Sequence, residues 1–379
     1  MKTRKRLAGA ASGIMLSLSL AGAAHASGLE ANGYDWELLF DPATYTAKGT
    51  VAYVGINHDL ANTAFSPDGR TLVSHKDQIY FNFGIKADLA PNASCLVSAQ
   101  NPWGTEVERD LTYAFAFPGG KAVSEKLTSL DLGLTCAYGI EMGPGIISLV
   151  GGVSAQTIKY EAELPTPFLT TAPLEIDGWG LGWRAGLAYE IPEYALRVSA
   201  IYNAAIDYEF EGTAFDGTLL SGPATAEETT PQSVEVNAQT GIAPGWLALA
   251  SVKWTDWSVL QALDVDTTTA GTISSDLSYR DSWQLSAGIG HQVNEQLSLV
   301  GIVTWDQGAS NPVSDDVYEA SASMDRWGLS LGALYDVTEA VQFTGGVSVS
   351  TLADGSNLEG ESWENGSIFA VSGGLKGSF

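Results

Sequence analysis

The chain has 379 residues, 45% of them apolar and 42 of them glycine, with 18 basic side chains against 44 acidic ones and a formal net charge of −26. A surplus of that sign repels a phosphate backbone, which excludes a nucleic-acid partner, and it also argues against a pore built for anions. The four histidines, His25, His58, His75 and His291, show no metal-ligand spacing, and no cofactor is expected.

Residues 1–26 read as a secretory leader. Lys2, Arg4, Lys5 and Arg6 form a basic start, an apolar stretch follows, and Ala24-His25-Ala26 is a small-x-small cleavage site. Removing these four basic residues leaves 14 basic against 44 acidic side chains, a formal charge of −30. No later apolar run reaches the roughly 18 residues of a membrane helix, so a mature chain that crosses a membrane crosses it with strands.

Residues 27–44 form a short N-terminal segment, and residues 45–379 divide into about fourteen strands. Their expected positions are 45–57, 78–87, 93–100, 127–138, 146–160, a hairpin within 178–210, 232–242, 246–263, 282–292, 297–306, 326–336, 341–351 and 367–379. The hairpin carries the clearest period of two. Trp179, Leu181, Trp183, Ala185, Leu187 and Tyr189 share one face, and Gly180, Gly182, Arg184, Gly186 and Ala188 the other. After Ile191-Pro192-Glu193, one face takes Leu196, Val198, Ala200, Tyr202, Ala204, Ile206, Tyr208 and Phe210, which leaves Asp207 and Glu209 with Arg197 on the wet side. Each half is long enough for a tilted strand to cross a bilayer, and its aromatics stand near the ends.

Long connections at 58–76, 101–126, 161–177, 211–231, 264–280, 307–325 and 352–366 alternate with short turns. That alternation describes an up-and-down barrel with short periplasmic turns and long outer loops, and Greek-key sandwiches have no reason for it. The last strand ends in an outward Phe379, as closure onto the first strand requires where an open edge would leave backbone groups unpaired in lipid. The fold expected is an all-β, transmembrane, up-and-down antiparallel β-barrel with a short N-terminal plug at 27–44. Cys95 and Cys136 share a face near one barrel end in an exported chain; a disulfide between them and two small buried thiols are the alternatives.

The stretches Gly178 to Glu190, Pro231 to Glu235, Trp254-Thr255-Asp256-Trp257-Ser258, Tyr279-Arg280-Asp281-Ser282-Trp283 running to Gly288, and Asp325 to Gly332 resemble, in order and spacing, the FadL/TodX-type transporters of Gram-negative outer membranes. The resemblance implies a fourteen-stranded barrel with a lumenal plug. It also implies passive uptake of long-chain fatty acids or other hydrophobic small molecules, which are caught by outer loops, held in an internal pocket and released sideways near a kinked third strand. The N-terminal segment lacks the family's Asn-Pro-Ala plug motif. Phe168, Leu169 and Leu174 in one outer loop and Phe215, Leu219 and Leu220 in the next are the apolar candidates for ligand contact. By the same resemblance Arg280 and Lys159 are the candidates for a carboxylate head group, although the phase of Lys159 turns it outward. Arg184, Arg197, Lys253 and Arg326 face the lumen by phase, as structural partners of acids such as Asp207, Glu209 and Glu235.

The partners expected are hydrophobic small molecules together with outer-membrane lipid and lipopolysaccharide, around a monomer. Two rival functions are a general hydrophilic porin and a surface receptor or adhesin. An enzyme is not expected: Gly328-Leu329-Ser330-Leu331-Gly332 matches G-x-S-x-G but lies inside an alternating strand, where that motif needs a strand-to-helix elbow.

Overall fold

The computed structural model describes residues 28–117, 120–166, 170–215, 221–268, 271–320 and 323–379, with backbone only at 215 and 221. The leader expected at 1–26 lies outside these residues, as do Phe168, Leu169, Leu219 and Leu220. The chain forms a closed antiparallel barrel of 14 strands. In order these are β1 (Tyr45–Asn57), β2 (Gln78–Ala90), β3 (Ala93–Gln100, resumed at Gly104–Arg109), β4 (Ser124–Met142), β5 (Gly145–Pro165), β6 (Thr171–Ile191) and β7 (Leu196–Asn203, resumed at Ile206–Phe215). There follow β8 (Ser221–Thr230 and Ser233–Ala243), β9 (Trp246–Thr255), β10 (Ser282–Gln292), β11 (Leu297–Asp306), β12 (Arg326–Thr338), β13 (Val341–Leu352) and β14 (Ser367–Ser378). The ring closes where β1 pairs with β14 from Thr46↔Ser378 to Asn57↔Ser367, and Tyr45 and Phe379 exchange both backbone hydrogen bonds at 2.9 Å.

The oily face is the outer one. Trp179, Leu181, Trp183 and Leu187 are 53–68% exposed, while Asp131, Gln156, Arg184 and Arg197 on the inner face are buried. This is the arrangement of a barrel in lipid, with side chains alternating between hydrocarbon and lumen. Ser330 of the G-x-S-x-G sequence sits in the extended ladder of β12 opposite Ile302, without an elbow. Cys95 and Cys136 are directly opposed on β3 and β4 and joined at 2.06 Å.

Several expected loops are strands. β5 and β6 run unbroken from Pro165↔Thr171 down to Ile146↔Glu190, so most of the expected loop 161–177 is a hairpin rising above the lipid-facing belt. The expected loops 211–231 and 264–280 likewise hold the β7–β8 hairpin and an outer hairpin, Ala262–Thr267 with Gly271–Asp276.

The largest departure is in β7. Against β6, the pairing Asn203↔Arg184 becomes Glu209↔Trp179 above the break, a shift of one residue at Ala204-Ala205. One extra residue in a strand inverts the phase of everything beyond it. Ile206, Tyr208 and Phe210 therefore turn inward and are buried, and Asp207 and Glu209, expected in the lumen, stand on the outside. β8 changes phase at the same height, at Pro231-Gln232. Gly180 and Gly182 make room for the inverted strand: a Cβ on either would lie 2.4 or 2.7 Å from the Ile206 side chain.

Candidate functional site

Residues 28–44 run inside the barrel. A short 3-10 turn, Trp36–Phe40, buries Trp36, Leu38, Leu39 and Phe40 against Leu96, Ala137, Val150, Ala188 and Ile201 from β3 to β7. Gly84 on β2 admits Leu38, whose Cδ2 would lie 2.7 Å from a Cβ there. Each acid of this segment meets a wall cation: Glu30 pairs with Lys253, Asp35 with Lys48 at 2.5 Å, Glu37 with Arg197, and Asp41 with Lys376 at 3.1 Å. The wall cations that sequence phase placed inside are all there, but their partners are mostly other acids than those expected. Arg184 pairs with Asp131 at 3.7 Å and Arg326 with Asp306 at 2.6 Å.

Residues 28–32 dock on an interruption of the wall. β3 stops pairing with β2 at Asn82↔Gln100, so residues 78–81 of β2 have no partner on that side. Pro102 cannot donate to a ladder and sits in the break. Beyond it, Gly104–Arg109 stays on β4 and takes Val73–His75 as its other neighbour. Side chains serve the abandoned backbone: Phe81 N–H donates to Asn101 Oδ1 at 3.2 Å, and Asn32 Nδ2 donates to the Phe81 carbonyl at 3.0 Å. Ala31 N–H donates to the Pro102 carbonyl at 2.8 Å, and Gly104 N–H to that of Leu29 at 3.0 Å.

Above this closure lies a cavity of about 890 Å³, at the upper end of the range usual for small-molecule sites. Its apolar side is Ile158, Leu174, Ile176, Tyr208, Phe210 and Val265, members of one packed cluster. Trp103, Trp257 and Tyr279 make a further wall, with successive ring centroids 5.6 and 5.7 Å apart. The other end is polar. Arg109 pairs with Glu125 at 2.5 Å, and Glu125 accepts a 2.7 Å hydrogen bond from Tyr160. Lys121 pairs with Glu359 and, at 3.0 Å, with Glu361, which also accepts from Tyr113 at 2.7 Å. Burial pushes the Glu125 and Glu361 carboxyls up, but the adjacent Arg109 and Lys121 outweigh it and leave both below the usual carboxylate range.

Of the residues proposed from sequence, Leu174 lines this cavity and Arg280 and Lys159 do not. Strand alternation turns Lys159 outward, where it pairs with Glu161 at 3.0 Å and Glu175 at 2.7 Å. Arg280 pins the outer loops instead, with Nε donating to the Gly308 carbonyl at 3.3 Å and Nη2 3.7 Å from Asp325; it is its neighbour Tyr279 that turns inward. Phe215 contributes backbone to β7 opposite Ser221. Sequence reasoning missed Arg109, Lys121 and Glu125 because 101–126 read as one loop; Pro102 was the available sign of a break within it. No group of three or more His, Cys, Asp or Glu placed to hold a metal ion occurs among the described residues.

Residues 39–359 match the family model described as outer membrane protein transport protein (OMPP1/FadL/TodX). Outer membrane protein P1 of Haemophilus influenzae is 24% identical over 275 residues, covering 62% of this chain and 58% of that protein, so the chain spans less than two thirds of that relative. The long-chain fatty acid transport protein of Salmonella typhi is 24% identical over 356 residues, covering 82% of this chain and 78% of its own. Among solved structures, a Pseudomonas aeruginosa FadL homologue superposes with a TM-score of 0.72 at 16% identity, covering 94% of this chain and 96% of that one. The Pseudomonas putida toluene transporter TodX superposes at 0.68 and 15% identity, covering 94% and 97%. The chain is therefore a strand-built protein of the outer membrane and belongs to the OMPP1/FadL/TodX family of outer membrane transport proteins.

Proposed function

We propose that this barrel is a passive channel for hydrophobic small molecules, long-chain fatty acids or other lipophiles, and not an enzyme. The outer hairpins capture the ligand, the cavity beneath them holds it, and it leaves sideways into the bilayer through the interrupted wall between β2 and β3. The observation that carries this reading is the apolar cavity, which sits above a lumen occupied by Trp36–Phe40 and beside the only described stretch of β2 that has lost its β3 partner. Burial is worth roughly 0.8 kcal/mol per CH₂, so an apolar relay draws a lipophile past the acidic outer surface, and release into lipid returns it to an equally apolar medium. Residues 28–32 act as the gate on this route, since Asn32 and Ala31 hydrogen-bond across the break.

A hydrophilic porin would need an open lumen, and the occupied one favours the transport reading. The test is uptake by cells whose own transporters of this family have been removed. Expression should restore uptake of a labelled alkylbenzene or fatty acid, and Tyr208→Glu with Phe210→Glu should abolish it while leaving the folded barrel intact. Rapid swelling of proteoliposomes in small sugars, without lipophile uptake, would replace this reading with the porin one.

A further inference from the structure

The charges on the cavity wall come already matched. Arg109 has Glu125, Lys121 has Glu359 and Glu361, and Arg326 has Asp306, while Glu228 and Asp276 add further acid to the lining. An entering carboxylate would find each of these cations neutralised and would face like charges at low dielectric.

The polar end instead offers two stacked imidazoles with unused ring nitrogens: His58 Nε2 is buried without a hydrogen-bond partner, and His75 supplies a defined acceptor. His75 Nδ1 lies 2.9 Å from the backbone carbonyl of His58. A carbonyl only accepts, so Nδ1 carries the proton and Nε2 of the neutral ring presents a lone pair. No hydrogen bond from the described residues reaches that Nε2. The His58 ring stacks on His75 at 4.7 Å and 19° and meets Trp363 in a T-shaped arrangement with centroids 6.0 Å apart, so the acceptor is held in place. Burial lowers the His75 pKa, and burial together with His75 pushes that of His58 down to about 3, which keeps both rings uncharged at neutral pH. Both rings line the cavity together with the apolar cluster.

We propose that the cavity selects an uncharged ligand bearing a hydroxyl group, an alcohol or phenol, whose O–H donates to His75 Nε2 while its hydrocarbon body lies along Leu174, Ile176, Tyr208 and Phe210. This rests on the transport reading of the same cavity. A plain hydrocarbon fills the apolar side and leaves Nε2 unpaired; a carboxylate has no proton to donate.

Titration calorimetry on the full-length mature barrel in detergent micelles, against empty micelles at about pH 8, compares propylbenzene, 3-phenylpropan-1-ol and 3-phenylpropanoate. The alcohol is expected to bind about tenfold tighter than the hydrocarbon, the equivalent of one hydrogen bond of about 1.4 kcal/mol, and the carboxylate weakest of the three. His75→Phe should bring the alcohol down to the hydrocarbon's affinity without changing the hydrocarbon's, and His75→Gln, which keeps an acceptor, should retain part of the preference. Equal binding of alcohol and carboxylate, or an alcohol preference that survives His75→Phe, overturns the hydroxyl assignment and leaves the transport reading standing. Failure of all three to bind overturns both.

Discussion

The segment Trp36–Phe40 is held in the lumen by ionic and apolar contacts, and their sizes decide what would dislodge it. Arg197 is the chief ionic clamp: its side chain is 3% exposed, Nε donates to Glu190 at 2.9 Å, Nη1 reaches Glu37, and the guanidinium lies 4.8 Å from the Phe40 ring. Removing one partner of a buried pair costs about 3–5 kcal/mol, mostly because the other charge is left uncompensated. The apolar hold is larger. Trp36, Leu39 and Phe40 are 3%, 1% and 9% exposed, and truncating such side chains to alanine costs about 3–5, 2–5 and 3–5 kcal/mol respectively. Arg197→Met should therefore destabilise the barrel by about 3–5 kcal/mol in urea titrations followed by gel mobility, with proteoliposome swelling in arabinose still at background. Adding Glu37→Gln should recover part of that loss, because one of the two stranded acids is then neutral. The triple alanine variant at 36, 39 and 40 should swell readily. If Arg197→Met alone swells as fast as the triple variant, the segment is held by charge and this ranking is wrong.

Deleting Ala205 removes the extra residue of β7 and should return Ile206, Tyr208 and Phe210 to the outer face, with loss of lipophile binding; retained binding would deny the bulge its role. The outer cluster should loosen in acid. A carboxyl held lower in the fold than in the unfolded chain stabilises above its unfolded value and loses that contribution as pH falls through the folded one. This applies to Glu125 and Glu361. His58, at about 3 against an ordinary 6.5, acts in the same direction: below about pH 6.5 only the unfolded ring takes up a proton, at a cost of up to about 1.4 kcal/mol per pH unit. Hydrogen exchange at residues 58–75, 107–117 and 120–125, corrected for intrinsic rates, should show protection falling between pH 7.5 and 4; flat protection would refute this. Replacing Cys95 and Cys136 with alanine should lower thermal stability by about 2–4 kcal/mol and leave uptake unchanged, and a loss of uptake at full stability would give the bridge a functional role instead.

The barrel was legible because lipid demands a strict period of two and the turns alternate in length, both visible in residues such as Trp179, Leu181 and Trp183. The site was less so. Alternation propagates along a strand only until a bulge resets it, and Ala204-Ala205, two small residues, carry no charge or bulk to announce one. The reset moved Tyr208 and Phe210 into the cavity and Asp207 and Glu209 out of the lumen. The two prolines at wall breaks, Pro102 and Pro231, were the readable signs, since neither can complete a ladder. Arg280 and Lys159 followed from resemblance alone: Asp325, the partner of Arg280, lies far along the chain, whereas Lys159 shares the outer face of β5 with Glu161 two residues on, as its phase already indicated.

The most direct test is photolabelling of the barrel in bilayers with a diazirine-bearing alkylbenzene alcohol, followed by peptide mapping. The inward residues Ala172, Leu174, Ile176, Tyr208 and Phe210 should be labelled, and excess unlabelled 3-phenylpropan-1-ol should suppress that labelling. Label confined to the outward Trp179, Leu181, Trp183 and Leu187, indifferent to competitor, would mean that the lipophile meets only the bilayer face and never enters the barrel.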